Sequence, residues 1–388
     1  MRTADFDDVL LTAGVEVPYQ RQAPSGSTGD LLAQAFGAAL ERSGFSAKDI
    51  DGLGVASFTL APDHAIDLAW RLGLSLRWCT DDCHGGASAI NLLQHAIRAI
   101  QCGDANVIAL VSGDRFEPAD FKHLVEHYNL TTHTYLRPLE NGGPNSLFAM
   151  LTQRHAERYD LSRADYGALC VAQREWAALN PHAAYRKPLS IDEYLAAPIV
   201  AEPLGRFDCV PVVCGANAVI VARADLVKHG CNVGVRALQC RYNGDHQMGD
   251  GLQTSLAEIS PALWRQAGVA PDDMDVVSVY DDYPVMALVQ LMDLGFVPNG
   301  DLRALSARIA ARQLPVNTSG GQLSAGQAGA AGGMHGLVEA ITQLCGTAGE
   351  RQVADARLAV VSGYGMVEYR YGMCANAVVL EATKRRAQ

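Results

Sequence analysis

The stretch "DDCHGGASAINLLQHAI", residues 81–97, sets one cysteine between two acids and a histidine, ahead of small residues and an apolar run. If a helix opens near 84–87, the Cys83 thiol stands beside unpaired backbone N–H groups at the positive end of the helix dipole, which favours the nucleophilic thiolate. Gly85 and Gly86 leave room for a substrate to approach the backbone, with His84 alongside. Asp81 and Asp82 work against this, because nearby carboxylates raise a thiol pKa. The plain alternative is a small side chain packed at a strand–helix junction.

Three further segments carry chemistry. "NTSGGQLSAGQAGAAGGMHG" (317–336) is too rich in glycine for a strand or helix interior. A loop of this kind can aim backbone N–H groups into a site through Gly320, Gly321 and Gly326, with His335 at its end, or pack closely on another lobe. It lacks the G-K-[ST] step of a phosphate loop, and no G-x-G-x-x-G stands between a strand and a helix. "SVYDDYPVMALVQLMDLGF" (278–296) ends a predicted strand in tyrosines and acids, and ligands of α/β sheets gather at such strand ends. There a phenol of Tyr280 or Tyr283 could donate a proton to a developing oxyanion, whereas Asp281 or Asp282 could simply cap the helix. "SGYGMVEYRYGMCANAVVLE" (362–381) holds Tyr364, Tyr369, Tyr371 and Cys374, the last an acid/base thiol or a buried one. His123, His127 and His133 lack helical ligand spacing beside an acid, so no metal site is expected.

The elements that must position these residues read as an α/β chain. A length of 388 residues exceeds what one hydrophobic core serves, and 49% hydrophobic against 19% charged residues fits a folded protein with buried sheet. The predicted strands are "VLLTAGVEV", "GLGVASF", "NVIALVSGD", "NAVIVA", "VVSVYDD", "LAVVSG" and "NAVVLEA", mostly continuous apolar runs of doubly covered strands. "ALERSGFSAKDIDGLGV" (39–55) and "LWRQAGVAPDDMDVVSV" (263–279) share a helix end, a glycine stop, an acidic turn and a strand. Gly44 then falls on Gly268 and Val55 on Val279. A second echo, 96–114 against 339–365, adds a helix with a Cys-Gly end and a strand ending in Ser-Gly. These echoes predict a duplicated α/β unit, with halves 1–230 and 231–388 and a proline-rich excursion or cap at about 116–215 that carries selectivity.

A net charge of −11 gives no field for nucleic acid or anionic lipid. The acidic N-terminus "MRTADFDDVLL" is unlike a signal peptide, and no apolar run reaches membrane-spanning length, so a cytoplasmic protein is expected. Ten cysteines without any C-x-x-C pair read as reduced thiols, most of them buried.

Taken in order, "DDCHGGASA", "YDDYPVMALVQLMDLGF" and "NTSGGQLSAGQAGAAGG" resemble the thiolase superfamily, within its sterol-carrier-protein-type thiolase and lipid-transfer-protein-like group. That group includes C-acyltransferases and steroid side-chain aldolases. The resemblance implies a duplicated, five-layered α-β-α-β-α fold, a homodimer, and a coenzyme A thioester as substrate with no bound cofactor. It also implies, in several relatives, a small partner protein with an OB-fold and often a zinc ribbon. The family's nucleophile falls on Cys83, its loop histidine on Gln327, and its third site on Tyr280 with Asp281 beside it. Its final cysteine step is not kept near Cys374. Steroid aldolases of the group also read Tyr-Asp at the third site, but they lack the cysteine and carry a tyrosine where Gln327 stands.

Three functions follow as alternatives. In acyl transfer, Cys83 attacks an acyl-CoA while Gln327 and backbone N–H groups hold the oxyanion and His84, His335 or Tyr280 moves protons. In a retro-aldol lyase, Tyr280 serves a β-hydroxyacyl-CoA and Cys83 only lines the pocket. A non-catalytic acyl-CoA or lipid-binding subunit would keep the fold without the chemistry.

Overall fold

The structure is a computed structural model that describes residues 5–127, 130–139, 143–227, 232–244, 249–297, 299–368 and 371–383, without the side chains of 366–368, 371 and 372. Its strands are β1 (Val9–Gln20), β2 (Gly52–Ala56), β3 (Trp78–Asp81), β4 (Val107–Asp114), β5 (Ile199–Ala201), β6 (Leu204–Gly205), β7 (Cys214–Arg223), β8 (Val233–Tyr242), β9 (Val276–Ser278), β10 (Leu358–Glu368) and β11 (Tyr371–Ala382). All but the β5–β6 ribbon join in the order β3-β2-β4-β7-β1-β8-β11-β10-β9.

The duplication is visible in strand directions. β2 runs parallel to β4, β4 antiparallel to β7, and β7 antiparallel to β1. β9, β10, β11 and β8 repeat the same sequence of directions. The two half-sheets join where Leu10 and Leu11 of β1 pair with Gly234 and Val233 of β8.

Helices Ser88–Cys102 and Gly332–Leu344 lie between the half-sheets. Ile90, Leu93, Leu337 and Ile341 share one core there with Val9 and Val219 of the first half and Val361 and Val378 of the second. Gly332–Leu344 is buried nearly all round because both of its faces are covered, whereas Ser88–Cys102 keeps an exposed edge at His95, Arg98 and Gln101, and each buried Leu or Ile contributes about 1.5–3 kcal/mol. Thr28–Ser43 and His64–Arg71 cover the outer face of the first half, and Leu256–Ala267 and Pro284–Asp293 that of the second, giving five layers. Gly44 and Gly268 each take the left-handed conformation that ends the helix before them, at equivalent positions of the repeat.

Some expectations change. The strand read as 276–282 stops at Ser278, because the Asn317 side chain takes both backbone groups of Val279 in place of a neighbouring strand. β3 and β8 were not among the predicted strands. β8, "VGVRALQCRY", alternates buried and half-buried residues along its first half, a period-2 signal weaker than a continuous apolar run. The proline-rich excursion contains helices Pro118–Glu126, Pro144–Tyr159, Arg163–Leu179 and Ile191–Leu195. Among the described residues eight cysteines are free, but Cys345 is disulfide-bonded, which corrects the reading of uniformly reduced thiols. A disulfide needs Cβ atoms within about 4.5 Å, a proximity that chain spacing does not reveal. No helix among the described residues is long and apolar enough to cross a membrane.

Candidate active site

Where β9 ends, Val279–Tyr283 run irregularly into the helix Pro284–Asp293 and are clamped from two sides. Gln290 donates through Nε2 to the Tyr280 carbonyl at 2.6 Å and accepts the Tyr280 N–H at 3.3 Å, while Ser362 donates to the same Gln290 oxygen at 2.9 Å. The tyrosine ring lies on the backbone ahead of helix Ser88–Cys102. A methyl group at Gly86 would stand 2.3 Å from a ring carbon of Tyr280, so only glycine admits the ring there. Gly333, at the start of the second central helix, is equally tight against the carbonyls of Gly85 and Gly86. The two repeats therefore meet at Tyr280 through glycines.

Gln327 donates through Nε2 to the Tyr280 phenol oxygen at 2.9 Å. Its own backbone is tied to the cap, with its N–H on the Pro211 carbonyl and its carbonyl accepting the Val213 N–H. The phenol oxygen is thus held as an acceptor, an arrangement that stabilises negative charge on that oxygen.

Tyr280 and Gln327 stand at the head of a cavity of about 380 Å³ with mainly apolar walls that include Phe58, Phe121, Leu124, Leu147 and Phe148. Phe121, Leu124, Leu136, Pro144 and Phe148 supply much of this wall, so the cap shapes the cavity. The Tyr283 hydroxyl donates to Asn145 at 2.6 Å across it. Asp282 also lines the cavity and is 9% exposed. Burial, and then the neighbouring Asp281 carboxylate, push the Asp282 carboxyl up to about 8. Cys209 is the only thiol lining the cavity among the described residues, and burial pushes it up to about 12.

Several expected site residues lie elsewhere. Cys83 is exposed and does not line the cavity, and the position that faces Tyr280 is Gly86. The chain has no regular structure at 82–84 before a short 3₁₀ turn at Gly85–Ala87, so the thiol stands ahead of the helix start rather than on it. His84 turns to the Asp82 carboxylate at 3.0 Å and, edge-on, to Tyr242; the Asp82 hydrogen bond raises its pKa. Gly85 does line the cavity.

Asp281 is buried under the glycine-rich loop, where it accepts the N–H groups of Gln322 at 2.9 Å and Leu323 at 3.3 Å, and burial lifts it to about 6. It fastens the loop and does not reach the cavity. Gly320 and Gly321 have left-handed backbone and pack on Ala177 and on the Asp281 carboxylate, and Gly326 packs on Val213. These glycines serve close packing. Cys374 is buried beside Asn91, and burial pushes it up to about 12.

His335 faces a second cavity, of about 580 Å³. Its Nδ1 meets Glu16 at 2.7 Å and its Nε2 meets the Ser319 hydroxyl at 2.6 Å. Despite burial the histidine pKa is raised, because Glu16 stands beside it, and Glu16 is lowered to about 2 by His335 and His182 against the opposing effect of burial. His123, His127 and His133 stack on one another at the cap surface. Among the described residues no group of three or more His, Cys, Asp or Glu side chains is arranged to hold a metal ion.

Asp282 and Cys209 were not expected in the site. "YDDY" pointed to the right turn, but only the fold decides which of two adjacent carboxylates turns inward to the loop and which to the cavity.

Comparison with known proteins agrees with this architecture. Residues 238–380 match the family described as thiolase C-terminal domain-like. The chain is 30% identical over 362 residues to a 17-hydroxy-3-oxo-4-pregnene-20-carboxyl-CoA lyase of Mycobacterium tuberculosis, covering 87% of this chain and 91% of that protein. It is 31% identical over 229 residues, 57% of this chain and 60% of the relative, to an acetyl-CoA acetyltransferase of Methanothermobacter thermautotrophicus. A solved Ltp2-ChsH2(DUF35) aldolase superposes with a TM-score of 0.84 over 98% of this chain and 99% of that one, at 23% identity. These relatives are enzymes, both lyases and acyltransferases. The chain belongs to the thiolase superfamily, in its sterol-carrier-protein-type thiolase and lipid-transfer-protein-like group.

Proposed function

We propose that this thiolase-like enzyme is a carbon–carbon lyase that cleaves a β-hydroxyacyl-CoA by a retro-aldol reaction, with a bulky apolar acyl part of steroid or lipid side-chain type. The observation that carries this reading is the Tyr280–Gln327 pair at the head of an apolar cavity whose lining, among the described residues, holds no thiol but Cys209. A phenol that accepts from Gln327 can pass its proton to an enolate and hold the resulting charge. A thiol pushed up to about 12 is a poor nucleophile at neutral pH. The lyase and aldolase relatives favour the same chemistry.

Acyl transfer through Cys83 is the second reading, favoured by the acetyltransferase relatives. It requires the exposed thiol to meet the thioester outside the Tyr280 cavity. In either case the substrate is a coenzyme A thioester and the chemistry needs no bound cofactor. Ile66 and Trp70, 65% and 80% exposed on the helix beside edge strand β3, suit a homodimer. The likeness to the Ltp2-ChsH2(DUF35) aldolase supports a small DUF35-type partner.

The test is incubation with linear and steroid β-hydroxyacyl-CoA thioesters, with and without such a partner, following release of the shorter acyl-CoA by chromatography. Cleavage that survives Cys83→Ala and is lost in Tyr280→Phe supports the lyase. A covalent acyl adduct that Cys83→Ala abolishes, without any cleavage, would replace it with acyl transfer.

A further inference from the structure

A retro-aldol cleavage needs two proton-handling groups, one to take the β-hydroxyl proton and one to protonate the α-carbon that is released. Tyr280, with Gln327 on its oxygen, is suited to one of them. The cavity offers few candidates for the other. Among the described residues its titratable side chains are Tyr280, Asp282, Tyr283 and Cys209, and no Lys, Arg or His lines it. The Tyr283 hydroxyl is committed to Asn145. Cys209 titrates too high to act at neutral pH.

Asp282 differs from all of these. It follows Tyr280 by two residues in the same irregular turn, is nearly buried, and lines the cavity. Its Oδ1 accepts the Tyr283 N–H at 3.0 Å. Asp281, one residue earlier, is spent on the loop N–H groups, so the adjacent carboxyls have separate tasks. A buried carboxyl costs stability unless something compensates, and structural carboxylates in this protein are compensated: Asp114 accepts from Ser57, Thr59, Phe58 and Ala330, and Asp293 from Thr254. Asp282 faces the apolar cavity instead. Burial, and then Asp281 next to it, raise its proton affinity toward the range where a group can both take and return a proton near neutral pH, and no cation on the described wall opposes this.

We propose that Asp282 is the catalytic base for the β-hydroxyl, acting opposite Tyr280; this rests on the retro-aldol reading. The hydroxyl proton passes to the Asp282 carboxylate as the β-carbon becomes a carbonyl. The α,β-carbon bond breaks and its electron pair enters the thioester as an enolate. Tyr280 then gives its phenol proton to the α-carbon, and Gln327 holds the tyrosinate. One proton moved from Asp282 back to the tyrosinate restores the starting state, with no oxidant or cofactor consumed.

Two reactions separate the roles. Cleavage of a β-hydroxyacyl-CoA needs both groups, whereas exchange of the α-protons of propionyl-CoA with deuterium from D2O, run at about pH 10 where solvent ionises a phenol without help from Asp282, needs only the Tyr280 side. Both are measured by mass spectrometry on wild type, Asp282→Asn, Asp282→Glu and Tyr280→Phe, with folding checked by circular dichroism melts. Asp282→Asn is expected to slow cleavage at least about 100-fold more than it slows exchange, while Tyr280→Phe slows both. Asp282→Glu should recover part of the cleavage, and the rise of wild-type cleavage as pH approaches 8 should vanish in the Asn variant. Cleavage by Asp282→Asn within a few-fold of wild type overturns the proposal, as does equal loss of both reactions in a folded variant. If Asp282→Asn fails to fold, the proposal falls when Asp282→Glu cleaves with the wild-type pH profile. Wild type that exchanges and cleaves nothing overturns the retro-aldol reading itself, a result distinct from either of these.

Discussion

The cavity at Tyr280 and the cavity at His335 both border buried ionisable side chains, yet they are built on opposite terms. At His335 the charges are answered: Glu16 meets His335 and His182, and Ser319 closes the other ring nitrogen. At Tyr280 the carboxyl of Asp282 and the phenol of Tyr280 face an apolar hollow, and among the described residues no cation lines it. A fully answered network holds a fold together, whereas groups left facing an apolar hollow are available to a substrate. Catalytic residue types thus occur in both places, and what they face, charged partners at His335 and an apolar hollow at Tyr280, tells them apart.

The sharpest way to break this comparison is Gly86→Ala. The added methyl would stand 2.3 Å from both a ring carbon of Tyr280 and the carbonyl oxygen of Tyr364, so the ring must move. A misplacement near 1 Å is expected to lower kcat/KM by about 100-fold, with about 1–3 kcal/mol of overpacking cost in a urea melt. Activity close to wild type would show that Tyr280 is not where the chemistry occurs.

His335→Ala tests the other side. Removing the buried partner leaves Glu16 only His182, at 3.6 Å, and should cost up to about 3–5 kcal/mol in stability. Steady-state cleavage by the remaining folded enzyme should stay within about threefold of wild type. A large fall in kcat without loss of stability would reverse the assignment of the two regions.

The regions should also differ in pH response. Glu16 is depressed from 4.5 to about 2, so the stability it contributes is present above pH 4.5 and is lost as pH falls toward 2, roughly 3 kcal/mol in all. Asp282 is raised from 3.8 to about 8, so its effect is the reverse: stability is full below pH 3.8 and declines as pH rises through 8. Urea melts across pH should show a flatter acid limb in Glu16→Gln and a flatter alkaline limb in Asp282→Asn. Identical profiles in both variants would remove the distinction.

The smallest effect is expected at Gln327→Ala. Loss of one hydrogen bond to Tyr280 is worth about 0.5–1.5 kcal/mol, or roughly two- to tenfold in kcat. A loss above 100-fold would make Gln327 a primary oxyanion donor to the substrate rather than a support for the tyrosine.

Much of the architecture was legible from local pattern. The echo of Gly44 in Gly268 reports a helix stop, which depends on the glycine itself, and the strand runs of β4 and β10 report burial on both faces. The importance of the turn at Tyr280 was legible too, because a strand end followed by tyrosines and acids is a local signal. The placement of Cys83 was not. Its helix-start environment was inferred from small residues after it, but Gly86 is small because a tyrosine almost two hundred positions later lies against it, and Gly85 holds a left-handed φ of 56°. The setting of His335 was hidden for the same reason: its partner Glu16 lies on β1, in the opposite repeat.

The sequence by itself determined the repeat, the order of most strands, the glycine-rich junction and the family, since periodicity and glycine stops are properties of neighbours along the chain. Only the tertiary structure decided which ionisable groups act together. Asp281 and Asp282 are chemically identical and adjacent, yet one turns into backbone N–H groups and the other toward a hollow closed by the cap. A pKa and a partner are set by what packs within a few ångströms, and across a duplicated fold those neighbours come from distant parts of the chain.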